Sequence, residues 1–294
     1  MKIIVTGGSG FLGSHVADEL SKRGHKVIIF DKKKSKWIRS DQKMFIGNIL
    51  NPNDLENVIK NTDVVFHFAA LADLDQALKN PINTVKVNIL GTVQVLELCR
   101  KHNVKRFIHA STIYVNSTDG GFYRSSKKAA EDYVEEYKKI HGLNYAIVRF
   151  GSLYGQRSDD TNGVRIIVKN AIVNGQISYT GSRKTVRSYI HILDAAKACV
   201  DTLKKKYENE HVIITGKKQI KMTMFLKNLS KMLKISKKIK FQNRKVVGHY
   251  DITPFTYQFK KGQIFKHKSN IDIYDGILQL INEIRNEKNF KNIN

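Results

Sequence analysis

Apolar positions along the chain follow two alternating rhythms. Short runs rich in β-branched residues recur as Ile3-Ile4-Val5, Val27-Ile28-Ile29-Phe30, Met44-Phe45-Ile46, Val64-Val65-Phe66, Phe107-Ile108 and Ala146-Ile147-Val148. Runs this short read as buried strands, predicted over residues 2–6, 27–30, 43–46, 63–67, 106–111 and 145–150. Between them the apolar residues fall at helical spacing. Val16, Ala17 and Leu20 share one face of a helix over residues 14–22. A second helix opens near Pro52, with Asn51 or Asn53 as its cap. Val85, Ile89, Val93, Leu96 and Leu98 supply the apolar positions of a long helix over 81–102, and another covers 121–140. Strand and helix alternate, which predicts an α/β fold: a Rossmann-type doubly wound parallel sheet, covered on both faces.

Beyond Gly155 the alternation loosens. Helices are expected over 164–174, 192–205, 223–233 and 274–285, with strands at 176–179 and 212–215. This predicts a smaller C-terminal α/β lobe. The division is a nucleotide-binding domain at 1–155 and a substrate lobe at 156–294, an approximate boundary that the chain is free to cross. There is no internal repeat and no low-complexity linker. The Asn/Lys-rich tail from Asn286 is expected to fray.

Composition narrows the class. Of 294 residues, 41% are hydrophobic and 26% charged, the balance of a globular chain. No stretch approaches the roughly 20 apolar residues of a membrane span, and the first strand leaves no room for a signal peptide. Cys99 and Cys199 stand alone, so they are expected to be buried reduced thiols in a cytoplasmic protein, and no metal site is expected. The 51 Lys+Arg against 26 Asp+Glu give a net charge of +25. A basic surface can serve nucleic acid or membrane, can be spread over solvated faces, or can attract an anionic substrate such as a nucleotide diphosphate. The densest basic stretch, residues 231–268, has neither interleaved aromatics on a helix nor a nucleic-acid motif. Solvated faces are therefore the simpler reading.

The first strand runs directly into Gly7-Gly8-Ser9-Gly10-Phe11-Leu12-Gly13, and the second ends on Asp31. Each part has a mechanical use in a dinucleotide site. Gly7 takes the tight turn, Gly10 lets the backbone approach a pyrophosphate at the helix N-terminus, and Gly13 lets helix and strand pack closely. Asp31 lies near the distance expected of an acid that accepts hydrogen bonds from the adenosine ribose. Its carboxylate favours NAD over NADP, although Lys32, Lys33 and Lys34 work against that preference.

Tyr123 and Lys127 lie one turn apart on the predicted helix 121–140, shortly after Thr112 at the end of the fifth strand. An ammonium beside a phenol is expected to lower its pKa from about 10 towards neutrality. Such a Tyr can take the proton of a sugar hydroxyl while hydride leaves the carbon. The same spacing recurs at Tyr257 and Lys261 without that context.

Taken together, the sequence resembles the extended short-chain dehydrogenase/reductases of the NAD-dependent epimerase/dehydratase family, which act on nucleotide-activated sugars. The matching stretches are Thr6 to Gly13, His67-Phe68-Ala69-Ala70, Asn88-Ile89-Leu90-Gly91-Thr92, Ala110-Ser111-Thr112, Tyr123-x-x-x-Lys127, and Arg187-Ser188-Tyr189-Ile190-His191-Ile192-Leu193-Asp194. The resemblance implies that Thr112 hydrogen-bonds the reacting hydroxyl, Tyr123 is the base, and Lys127 supports base and cofactor. It implies NAD contacts at Gly7, Gly10, Phe11, Leu12, Gly13 and Asp31, adenine contacts at Asn48 and Ile49, and a groove lined by Phe68, Ala69, Ala70 and Asn88. Arg187 would hold a substrate phosphate, with Ser152 beside the substrate. It further implies a homodimer through helices 81–102 and 121–140, and a role in precursor synthesis for surface polysaccharides.

The chain departs from the family pattern in four places. Ile113 stands where the sugar 4,6-dehydratases carry an acidic pair, which disfavours dehydration. The segment from Asn116 to Phe122 is short, which reshapes the sugar pocket. Asn48 replaces an Asp, and Ser152 replaces the Asn of many uridine-sugar epimerases. The leading expectation is 4-epimerisation of a nucleotide-diphosphate sugar through a 4-keto intermediate. Net dehydrogenation or keto-reduction at that carbon uses the same triad. A protein that senses NAD or binds RNA would need only the fold. Simpler roles also exist for several residues: His67 as a strand end, Asn88 as a bridge from helix to sheet, Arg187 as a surface charge and Asp194 as a helix start. Tyr154 and Arg157 are candidate substrate neighbours.

Overall fold

The apolar runs become the strands of a parallel sheet. In a computed structural model, which describes residues 1–236, 239–242 and 249–254, the first six are β1 (Lys2–Thr6), β2 (Lys26–Asp31), β3 (Gln42–Ile46), β4 (Val64–His67), β5 (Arg106–Thr112) and β6 (Tyr145–Phe150). Their spatial order is β6-β5-β4-β1-β2-β3, all parallel. The chain leaves β1 for β2 and β3, then jumps back across β1 to start β4. A crevice therefore opens at the carboxyl ends of β1 and β4, where doubly wound sheets take ligands.

Side chains alternate across the sheet and divide the core in two. Ile3, Val5, Ile29, Phe66 and Ile108 face one way, against Val16, Ala17 and Leu20 of α1 (Phe11–Lys22). Ile4, Phe30, Val65, Phe107 and Ile147 face the other. There they meet α2 (Pro52–Ile59) and two elements farther along the chain, α5 (Gly91–Lys101) and α6 (Gly121–His141). Before α5 come two short helices, α3 (Leu74–Lys79) and α4 (Pro81–Val85). Each fully buried aliphatic or aromatic side chain stabilises the fold by about 1.5–3 kcal/mol. Cys99 and Cys199 are wholly buried free thiols, and burial pushes both pKa values up.

The expected single helix over 81–102 is instead α4, a π-helical turn at Lys86–Leu90, and α5. Asn88 sits in that turn, 1% exposed. Its side chain accepts from Leu71 N at 2.7 Å and donates to Leu71 O and to Ser126 Oγ. The wide turn lets one residue leave the helical repeat for these fixed partners, and such bulges collect at functional sites.

The later elements are β7 (Ser152–Tyr154), α7 (Gly163–Asn174), β8 (Ser178–Thr180), β9 (Val186–Arg187) and β10 (Tyr189–His191). After them come α8 (Ile192–Asp201), β11 (Glu210–Ile214), β12 (Ile220–Lys221), α9 (Met222–Met232) and β13 (Lys240–Gln242). Three two-stranded ribbons pair β7 with β10, β9 with β12 and β8 with β13. Ile167 and Ala171 of α7 and Leu226 and Leu229 of α9 form a third apolar cluster beside them. Two of these elements return to the main sheet. β11 adds to the edge of β6, and Ala195, Ala196 and Cys199 of α8 share the core face of α1. The helix expected at 274–285, the frayed tail, and the pair Tyr257 and Lys261 lie outside the described residues. Among the described residues no helix is long and apolar enough to cross a membrane, and no cluster of acids, histidines and cysteines could hold a metal.

Candidate active site

The glycine loop packs against the first residues after β4. Gly7 has φ +72°, and a Cβ there would lie 2.6 Å from Ala69 N. A Cβ on Gly13 would lie 2.3 Å from Gly7 O. These two positions are closed to any side chain. Gly10 is different, because a Cβ there would meet only Gly7 O, at 3.2 Å. Gly10 also caps α1 with no side-chain hydrogen bond, and no acid lies in the first turn, which includes Phe11 and Leu12. The first N–H groups of α1 are thus left for an anion.

Asp31 ends β2 opposite this loop. Its carboxylate accepts from Ser9 N at 3.0 Å and from Lys33 N at 3.1 Å. Two backbone bonds orient it and leave lone pairs for ribose hydroxyls. Asn48 follows β3, with Oδ1 accepting from Leu50 N and its N–H donating to Asp54. Ile49 is buried against Gly91. Phe68, Ala69 and Ala70 leave the end of β4, with Phe68 N donating to Thr6 O. Asn88 spends its amide on Leu71 and Ser126, so it holds the groove wall from behind. A cradle that only glycine can form, a free helix N-terminus and an oriented carboxylate together fit a dinucleotide.

Thr112 ends β5, where its hydroxyl accepts from Tyr114 N at 3.3 Å and opens a 3-10 turn at Ile113–Asn116. Tyr123 and Lys127 enter from the first turns of α6. Lys127 is 3% exposed, and its ammonium donates to Ala110 O at 2.8 Å. The half-buried phenol of Tyr123 is pushed up to about 12 by burial, and the Thr112 hydroxyl is the neighbour that opposes this rise. This corrects the expectation from spacing alone. The ammonium is directed to a carbonyl of β5, and desolvation of the phenolate outweighs what the neighbours return. Burial also pushes Lys127 down to about 8.

His67 is wholly buried between Thr6 Oγ1 at 2.7 Å and Thr92 Oγ1 at 3.1 Å. Desolvation pushes it down to about 3, so it is a neutral strand-end residue. Asp194 lies in the first turn of α8, behind the cap His191. Arg157 turns towards α1, where it binds Asp18 at 2.8 Å and lies over Trp37. Tyr154 packs edge-on against Tyr189 and His191.

Farther out, Arg187 lines a cavity of about 580 Å³ with Tyr179, Thr180, Ser182, Tyr189 and His249. Its guanidinium lies 4.2 Å over the Tyr250 ring, and Nη1 donates to Asp251 O at 3.1 Å. Tyr250 in turn touches Ser152, hydroxyl to hydroxyl at 3.2 Å, and Tyr114 at 4.6 Å between ring centroids. Tyr114 meets Tyr123 edge-on at 6.5 Å. Tyr114 and Tyr250 thus connect the triad to Arg187, and sequence reading singled out neither. Tyr114 could have been found, because it directly follows Ile113 in the shortened loop. Tyr250 comes from a distant segment that carries no motif.

Comparison with known proteins places this geometry in context. Residues 3–215 match the model of the NAD dependent epimerase/dehydratase family. A protein of Methanocaldococcus jannaschii, provisionally named a UDP-glucose 4-epimerase, is 27% identical, over 97% of this chain and 98% of its own. The UDP-glucose 4-epimerase of Thermotoga maritima, solved with UDP-glucose, is 27% identical with a TM-score of 0.79, covering 87% of this chain and 90% of that one. The UDP-glucuronic acid 4-epimerase of Bacillus cereus, solved with UDP-glucuronic acid and NAD, is 26% identical with a TM-score of 0.79, at the same coverage.

Proposed function

The chain belongs to the NAD-dependent epimerase/dehydratase family, and from that premise we propose that it epimerises a nucleotide-diphosphate sugar at C4 through a 4-keto intermediate. The observation that carries this reading is that Tyr123 meets the Thr112 hydroxyl while Lys127, one turn on, is anchored to the same strand at Ala110 O, in a chain that also carries the glycine cradle and, at Arg187, a lined cavity. NAD, when bound, supplies a hydride acceptor that carries positive charge. Tyr123 takes the proton from the C4 hydroxyl and later returns it. Thr112 hydrogen-bonds that oxygen and favours the phenolate, and Lys127, one turn from Tyr123 on α6, supports the base and the cofactor. Arg187 binds a phosphate of the nucleotide, and Ser152, held by Tyr250, borders the sugar.

The loop after Thr112 supports epimerisation over dehydration. Ile113 is buried at the position following Thr112, and the acid of that loop, Asp119, lies beyond the 3-10 turn with its N–H on Ser117. Residues 1–155 hold the cofactor, and the lobe after them takes the nucleotide sugar, with α8 and β11 returning to the first domain. The enzyme works in the cytoplasm as a homodimer. Exposed Ile82, Val85, Leu90, Phe122 and Ile140 give α4 to α6 an apolar face suited to a second copy.

Tyr123→Phe tests this reading. Turnover of the sugar should fall by about 10²–10⁴-fold, the usual contribution of a positioned acid-base group, while NAD stays bound. Undiminished turnover would refute the assignment of the base.

A further inference from the structure

Glu131 lies one turn after Lys127 on α6, wholly buried, and the chemistry above makes no use of it. Its carboxylate takes two hydrogen bonds from Arg149 of β6, Nε to Oε1 at 2.9 Å and Nη2 to Oε2 at 2.7 Å. This fork fixes a carboxylate in both position and orientation. Arg149 Nη1 reaches Asn116 Oδ1 at 3.5 Å. Asn116 closes the 3-10 turn that begins next to Thr112. In the sheet, Arg149 is paired with Ser111, and its neighbour Phe150 with Thr112. One buried ion pair therefore touches α6, β6 and the turn, and so spans the elements that carry the triad.

The pair also bears on charge. The groups around Lys127 are His67 of β4, His109 of β5, and Tyr123 and Glu131 of α6, with Arg149 of β6 bound to Glu131. Burial keeps both histidines neutral, and Tyr123 is a neutral phenol in this state. The carbonyl of Ala110 is the hydrogen-bond acceptor. Glu131 is the charge that favours the ammonium, against a burial that has already pushed Lys127 down to about 8. A small further fall would leave much of Lys127 uncharged at neutral pH.

We propose that Glu131 and Arg149 are positioning residues of the active site: the ion pair locks α6, β6 and the Thr112 turn into one geometry, and holds its carboxylate one helical turn from Lys127. This role rests on the reading of Thr112, Tyr123 and Lys127 as the reacting triad, and it is independent of which sugar they act on.

Lysine labelled with ¹³C at Cε, followed by NMR across pH, reads Lys127 directly. Its resonance, identified by its loss in Lys127→Met, should titrate near 8, below the value of about 10.4 of a free lysine side chain. In Glu131→Gln the midpoint should fall by about one unit, a tenfold shift in the protonation equilibrium. The alkaline limb of kcat/KM should fall with it. The double variant Glu131→Leu with Arg149→Met exchanges the pair for apolar groups of similar size, a change that folded proteins often accept. There the midpoint should fall by less than in Glu131→Gln, because the Arg149 charge that opposes the ammonium is removed with the carboxylate. A wild-type Lys127 that titrates with the exposed lysines would overturn the proposal. So would an unchanged midpoint in Glu131→Gln alongside a lowered Tm, because a merely structural pair would alter only Tm. Failure of the triad reading would look different: Tyr123→Phe would remain active, whatever the NMR midpoint.

Discussion

Tyr123 sits in a site that opposes the phenolate it needs. Burial pushes the phenol up, and the Thr112 hydroxyl alone pulls against it. The proposed triad is legible in the sequence because Tyr123 and Lys127 are neighbours on one helix and Thr112 ends the strand before it. The balance of their charges was not legible, because it depends on where the Lys127 ammonium points and on how much water the fold excludes. Glu131 and Arg149 were hidden for a related reason: a buried Glu on a helix looks like a solvated one until β6 is laid beside it. Arg187→Ala should raise KM for the nucleotide sugar by about tenfold or more, the loss of one charge-assisted contact of about 1.5–3 kcal/mol, with a smaller change in kcat. An unchanged KM would remove Arg187 from the substrate site. His67 and His109 are buried neutral, with pKa values below that of a free histidine. As pH falls below about 6.5 the unfolded chain takes up protons that the folded chain refuses, so stability is lost. The urea midpoint should therefore decline between about pH 6.5 and 5, above the range where carboxylates titrate. A flat midpoint across that window would contradict the burial of these rings.

Among the elements, the glycine loop was the most readable, since Gly7 and Gly13 each answer a local steric demand. Gly13→Ala places a Cβ 2.3 Å from Gly7 O and 2.9 Å from Gly8 Cα. The loop must shift, at about 1–3 kcal/mol, and NAD affinity measured by calorimetry should weaken by roughly tenfold. Unchanged affinity would mean that the loop is not the cradle. Five of the six strands were equally plain, because a parallel strand buried on both faces is a nearly continuous apolar run, while β3 at the sheet edge keeps Phe45 and Ile46 exposed. The helix over residues 81–102 was misread as continuous. Its periodicity holds on either side of the break, while the π-helical turn is imposed by the partners of Asn88 on Leu71 and Ser126. Periodicity reports which face is buried, not whether one residue leaves the repeat to make a tertiary hydrogen bond.

For the whole molecule, the doubly wound sheet followed from strict alternation, and the crossing of α8 and β11 back to it did not. Both are short and lie beyond the loosened pattern, so no local signal says which core they join. With the proposed anionic nucleotide sugar as substrate, the net charge of +25 would favour its approach, an effect that salt should weaken. Light scattering at micromolar concentration should give twice the chain mass, and Ile82→Glu with Phe122→Glu should halve it. A monomer in the unaltered protein would remove the dimer. The proposed activity is redox chemistry on a sugar that ends with the cofactor as it began. The most direct test incubates the protein and NAD with uridine, guanosine and thymidine diphosphate sugars, follows the absorbance of reduced nicotinamide, and separates the products. The account predicts a C4 epimer of one of these sugars with no net change in absorbance. Reduced nicotinamide accumulating in step with an oxidised sugar would contradict it.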